Sequence, residues 1–94
     1  MSDERLLGKI TPQNIEAEQS LLGSLLIDKN AIIKVGDIIN EDDFYKENHG
    51  KIYAAMVDLY SKREPIDLLT LSSRLEEKST LAAVGGRSYL VELT

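Results

Sequence analysis

The stretch KENHGKIYAAMVDLYSK, residues 46–62, decides the fold class. His49, Ile52, Tyr53, Met56 and Tyr60 recur in it at i, i+3, i+4, i+7 and i+11. At about 100° per residue this spacing lays them along one face of an α-helix, with Lys51, Asp58 and Lys62 opposite. A half-buried strand would alternate apolar and polar residues instead. His49, the only histidine, falls inside the apolar stripe. There a packed, hydrogen-bonded imidazole is the expectation, because no second histidine and no cysteine completes a ligand set.

Upstream, NIEAEQSLLGSLL has the same periodicity, with Ile15, Leu22 and Leu26 flanked by Leu21 and Leu25. Asn14 suits an N-cap, and Thr11-Pro12 is a rival start. Glu16 and Glu18 lie about 160° apart around this helix and cannot serve one site as a carboxylate pair. Glu16 points to solvent in the first turn, where an acid favours the helix dipole. Glu18 shares the sector of Leu22 and Leu25. It lies either at the edge of the stripe with its head in water, or partly buried against a donor.

Between these helices, Asp28-Lys29-Asn30 breaks the first and can cap a second, AIIKVGDII, although its branched residues also suit a strand. In NEDDF, Asn40 resembles a cap, and Glu41, Asp42 and Asp43 read as helix-starting acids rather than a Mg²⁺ site. Downstream, Pro65-Ile66-Asp67 forms a turn with Asp67 capping LLTLSSRLEEK. Leu68, Leu71 and Leu75 of that helix face inward, and Arg74, Glu77 and Lys78 mostly outward. Gly85-Gly86 stops one helix and restarts another, RSYLVELT, with Tyr89, Leu90 and Leu93 on one side. The expected fold is all-α, a compact bundle of about five to six short helices over residues 14–94, preceded by a flexible tail over residues 1–13.

Composition agrees with one small domain. The 94 residues are 43% hydrophobic and 29% charged, enough apolar content for a core but only one. No apolar run approaches the roughly 20 residues of a membrane span, and MSDERLLGKI lacks a signal peptide's apolar centre. A cytoplasmic protein is the expectation. The net charge of -5 opposes tight nucleic-acid binding, which works by releasing counterions from phosphates to lysine and arginine. SSRLEEK, with one Arg, one Lys and two Glu, is a poor recognition helix. Gly50-Lys51 fails as a phosphate loop, because Tyr45 stands where that loop needs glycine and Ile52 where it needs Ser or Thr. No catalytic, cofactor or metal site is expected, and neither ATP nor a divalent metal should bind specifically.

Four stretches in order, TPQNIEAEQSLLGSLLID, EDDFYKENHGKIY, PIDLLTLSSRLEE and VGGRSYLVEL, span Thr11 to Leu93. Together they resemble the N-terminal domain of the bacterial hexameric replicative DNA helicase, the DnaB type. The resemblance implies a helical head in a ring-shaped motor that contacts sister subunits, helps recruit primase and has a helicase loader among its partners. ATP and Mg²⁺ would belong to a separate C-terminal motor domain, joined through a helical hairpin and a linker. The ending one turn or so into a helix suits a piece of such a longer protein. One residue carries over: Tyr89, the aromatic of the GG-x-x-Y pattern, is the partner-binding candidate. It would add to a primase surface drawn mainly from the hairpin. The competing reading is a freestanding helical adaptor that binds a partner without any ring motor.

Overall fold

A computed structural model describes residues 14–28 and 30–94. The expected tail over residues 1–13 and the rival start at Thr11-Pro12 lie outside the described residues. Helix α1 (Ile15–Ile27) opens at Asn14, whose Oδ1 accepts the Ala17 N–H at 3.1 Å, so the cap supplies one of the orphan first-turn partners. It ends at Asp28, which accepts the Asn30 N–H at 2.9 Å. Helix α2 (Ala31–Val35) is shorter than the AIIKVGDII pattern suggests. Gly36 and Asp37, poor helix formers, follow Val35. Beyond them the Tyr53 hydroxyl donates to the Ile39 carbonyl at 2.8 Å, so a side chain completes the bonding of the turn. Ile39 is still buried. A 3₁₀ turn, Glu41–Asp43, spends its acids locally, Asp43 accepting the Asn40 N–H at 2.8 Å.

Among the described residues four further helices follow in this all-α fold: α3 (Glu47–Ser61), α4 (Leu68–Glu77), α5 (Leu81–Val84) and α6 (Gly86–Leu93). Helix α3 runs through the middle, packed against α1, α4, α5 and the 3₁₀ turn, while α6 packs against α1, α4 and α5. His49, Ile52, Tyr53 and Met56 are buried as the periodicity requires. Tyr60, on the same stripe, is 47% exposed, and Ala55 and Leu59 are buried in its place. Leu59 lies about 100° round from Tyr60, so at the end of α3 burial follows the neighbours present at that level rather than the average stripe. Leu68 likewise sits at the margin of α4. Ser72 takes the inward position there, with its hydroxyl donating to the Leu68 carbonyl at 2.7 Å.

The close approach of α1 and α6 depends on Gly23. A Cβ at that position would stand 2.2 Å from the Leu93 carbonyl oxygen, which is backbone and cannot swing aside. Among the described residues no helix is long and apolar enough to cross a membrane, and no group of three or more His, Cys, Asp or Glu side chains could hold a metal ion.

Arg74 does not point outward as its position on α4 suggested. Its side chain is 12% exposed, with guanidinium nitrogens on Asp58, on Glu64 at 2.8 Å and on Glu77 at 3.1 Å. This network joins α3, the following turn and α4. Burial of Asp58 works to raise its carboxyl pKa, but the hydrogen bond from Arg74 and the charges of Lys62, Lys78 and Arg74 outweigh it and hold the group below its ordinary value of 3.8. A carboxyl with a lower pKa in the folded state stabilises the fold above the unfolded-state value, and that contribution disappears as pH falls through the folded-state value. Arg74→Met should therefore flatten the acid limb of stability between about pH 5 and pH 2. Urea unfolding at a series of pH values reads the slope; a slope equal to that of the parent would reject the role given to Arg74.

Candidate functional site

Tyr89 is set at the start of α6 by the glycine pair before it. Gly85 ends α5 in the left-handed region at φ 118°, and a Cβ there would stand 2.7 Å from the Cβ of Tyr89. Only glycine accepts both the backbone angle and the side chain lying over it. The tyrosine is half-buried, packed against the core with Leu90 and Leu93, and its hydroxyl points inward.

The tip of Tyr89 meets His49 of α3, with Nε2 to Oη at 2.5 Å, and Gln19 of α1, whose Nε2 donates to the hydroxyl at 3.2 Å. Behind them His49 Nδ1 lies 2.7 Å from Glu18 Oε1. Glu18 also accepts the Tyr45 N–H on Oε2 at 2.5 Å and the Lys46 N–H on Oε1 at 3.4 Å. Glu18 and His49 are both fully buried. The carboxylate thus sits among backbone donors immediately before α3, where the helix dipole also favours negative charge. The rings of His49 and Tyr89 are nearly parallel, at 14°, with centroids 5.8 Å apart. That separation matches rings joined end to end through the hydroxyl-to-nitrogen bond; a face-to-face stack would bring them closer.

Carboxylate, imidazole and hydroxyl in series follow the order of a nucleophilic triad. The chemistry does not follow, because Glu18 and His49 have no solvent access and the terminal hydroxyl is turned inward against them. What the series can do is hold three elements in register: α1 through Glu18 and Gln19, the α3 entrance through Tyr45, Lys46 and His49, and α6 through Tyr89.

The open question about Glu18 is answered by its burial among donors, while Glu16, two positions earlier, is exposed. Both Glu18 and the lone core histidine stood out as polar residues on apolar stripes, yet nothing in the sequence paired them. Gln19 and the Tyr45 and Lys46 amides were missed altogether; a backbone donor 27 residues away leaves no pattern. Next to Gln19, a shallow depression lined by Glu16, Gln19, Ser20, Glu92 and Leu93 gives this face an acidic border.

Among the described residues, six short helices around buried Glu18 and His49 make a small all-α domain with a half-buried tyrosine at its surface. The chain belongs to the DnaB-like helicase N-terminal domain family, whose model matches residues 10–94. It is 42% identical over 85 residues to the replicative DNA helicase DnaC of Bacillus subtilis, covering 90% of this chain and 19% of that protein. It is 41% identical over 85 residues to the replicative DNA helicase DnaB of Geobacillus stearothermophilus, again covering 90% and 19%. The crystal structure of the N-terminal domain of DnaB helicase from Mycobacterium tuberculosis superposes with a TM-score of 0.84 at 40% identity, covering 87% of this chain and 59% of that one. The chain therefore spans about a fifth of the length of these curated relatives.

Proposed function

We propose that this domain is the non-catalytic assembly and docking head of a cytoplasmic replicative DNA helicase. It contributes to hexamer formation and to recruitment of primase, and it offers surface to a helicase loader. The observation that carries the reading is the family match over residues 10–94, with replicative helicases as relatives about five times as long. In such a parent, ATP and Mg²⁺ belong to a motor domain elsewhere in the chain. A freestanding adaptor is the weaker reading, because the relatives described above are replicative DNA helicases. Tight DNA binding by this domain is opposed by the net charge of -5 and by the acidic border beside Gln19.

Docking is assigned to the surface around Tyr89, together with whatever chain follows Thr94. A partly exposed tyrosine anchors an interface well, because it offers a large apolar area with few rotors. In the full-length helicase, Tyr89→Ala is expected to weaken primase binding by about tenfold or more. The helicase should still sediment as a ring. Circular dichroism of the variant checks its fold; unfolding, or primase binding equal to that of the parent, would remove Tyr89 from the docking surface.

A further inference from the structure

Resting on the docking role of Tyr89, we infer that Glu18 and His49 are positioning residues that set how this tyrosine is presented to its partner. An ionised carboxylate accepts hydrogen bonds only. The 2.7 Å contact of Glu18 Oε1 therefore assigns a proton to His49 Nδ1. In the neutral imidazole this leaves Nε2 as an acceptor, so the Tyr89 hydroxyl, 2.5 Å away, donates to it. Gln19 Nε2, at 3.2 Å, then fills one lone pair of the same oxygen. The hydroxyl's single proton is consumed inward. A partner meets a ring fixed at both ends, by Gly85 under its Cβ and by His49 and Gln19 at its tip. The surface it presents is apolar, with one residual acceptor position and no donor.

Glutamine at position 18 would invert this polarity. Its amide oxygen keeps the short bond from the Tyr45 N–H at the place of Oε2, which puts the NH₂ at the place of Oε1, facing His49 Nδ1 and giving up the longer contact with the Lys46 N–H. The imidazole then carries its proton on Nε2. Two donors, His49 and Gln19, converge on the Tyr89 oxygen, and the hydroxyl proton has to point outward. Phenylalanine at position 89 removes the tether while leaving the ring. Tyr89→Phe frees the tip of the ring, whereas Glu18→Gln keeps it hydrogen-bonded but turns a donor toward the partner where the parent shows only an acceptor; neither variant loses apolar area.

Primase binding to the full-length helicase and nitrogen NMR of His49 in the 94-residue chain test the inference together. In the parent chain, Nδ1 should be the protonated nitrogen, and Glu18→Gln should move the proton to Nε2. A parent chain protonated on Nε2 would overturn the assignment without any variant. Tyr89→Phe and Glu18→Gln should each weaken primase binding by about 5- to 10-fold, the worth of one well-placed hydrogen bond. The double variant should be no weaker than Tyr89→Phe alone, since without the hydroxyl the tautomer has nothing to orient. Should Glu18→Gln unfold the domain, Gln19→Ala replaces it in the cycle, because it acts on the same oxygen from the half-buried surface of α1. Losses that add would show action by a route other than Tyr89 and would overturn the proposal. Normal binding by Tyr89→Phe and Glu18→Gln with loss in Tyr89→Ala would reject positioning and keep docking; normal binding by Tyr89→Ala would remove both.

Discussion

Glu18→Ala is expected to lower the unfolding free energy by about 3 to 5 kcal/mol, through several buried donors left without an acceptor and a cavity in the core. The substitution strands the Tyr45 N–H, the Lys46 N–H and His49 Nδ1, all donors to the same carboxylate. A buried donor with no acceptor costs about 1 to 3 kcal/mol. Fully buried Glu18 also leaves a void that alanine cannot fill. Glu18→Gln, with an oxygen in nearly the same place, should recover most of the loss. Glu16→Ala is the matching control, because Glu16 is exposed in the same first turn and should matter by less than about 0.5 kcal/mol. Urea denaturation of the three variants decides the matter. Comparable losses from Glu16 and Glu18 would mean that the buried carboxylate does not organise the α3 entrance.

Met56→Ala should cost about 2 to 5 kcal/mol, as expected of a large-to-small change in a packed core. Met56 is 0% exposed near the middle of α3, the helix against which α1, α4 and α5 all pack, so the vacated space has little freedom to collapse. Tyr60 lies one turn further along the same stripe and is 47% exposed. Tyr60→Ala should cost about 1 kcal/mol or less, since much of its ring is already in water. Equal midpoint shifts in guanidinium titrations would contradict the placement of Tyr60 at the edge of the bundle. A stability loss at Met56 below that at Tyr60 would contradict the assigned centre of the core.

The helices themselves were legible in the sequence because the physics that starts and stops them is local. Asn14 caps α1 through an amide three residues on, Asp67 caps α4 through Thr70 at 2.8 Å, and Gly85 breaks the chain with an angle that only its own backbone has to accept. The 3.6-residue period likewise identified the buried middle of α3 from its own residues. The same period marked Glu18 and His49 as polar residues on apolar faces, while the resemblance to the family rested on four short stretches taken in order.

Tertiary structure decided which distant groups meet. Glu18 was compatible with water or with a buried donor, and the choice fell to amides 27 and 28 residues away. Tyr89 read as a packed or exposed aromatic until Gln19, 70 residues earlier, and His49, 40 residues earlier, were brought to its hydroxyl. Arg74 turned from the solvent side of α4 because Asp58 and Glu64 lie within its reach in the fold. Tyr60 and Leu68 are 47% and 36% exposed at the margins of their stripes, because burial at each level of the bundle depends on the neighbouring elements, which a helical period does not encode. Hydrogen bonds and burial between separate elements depend on where the chain returns in space. The free energy that selects those returns is summed over the whole core, so no local run of residues carries it.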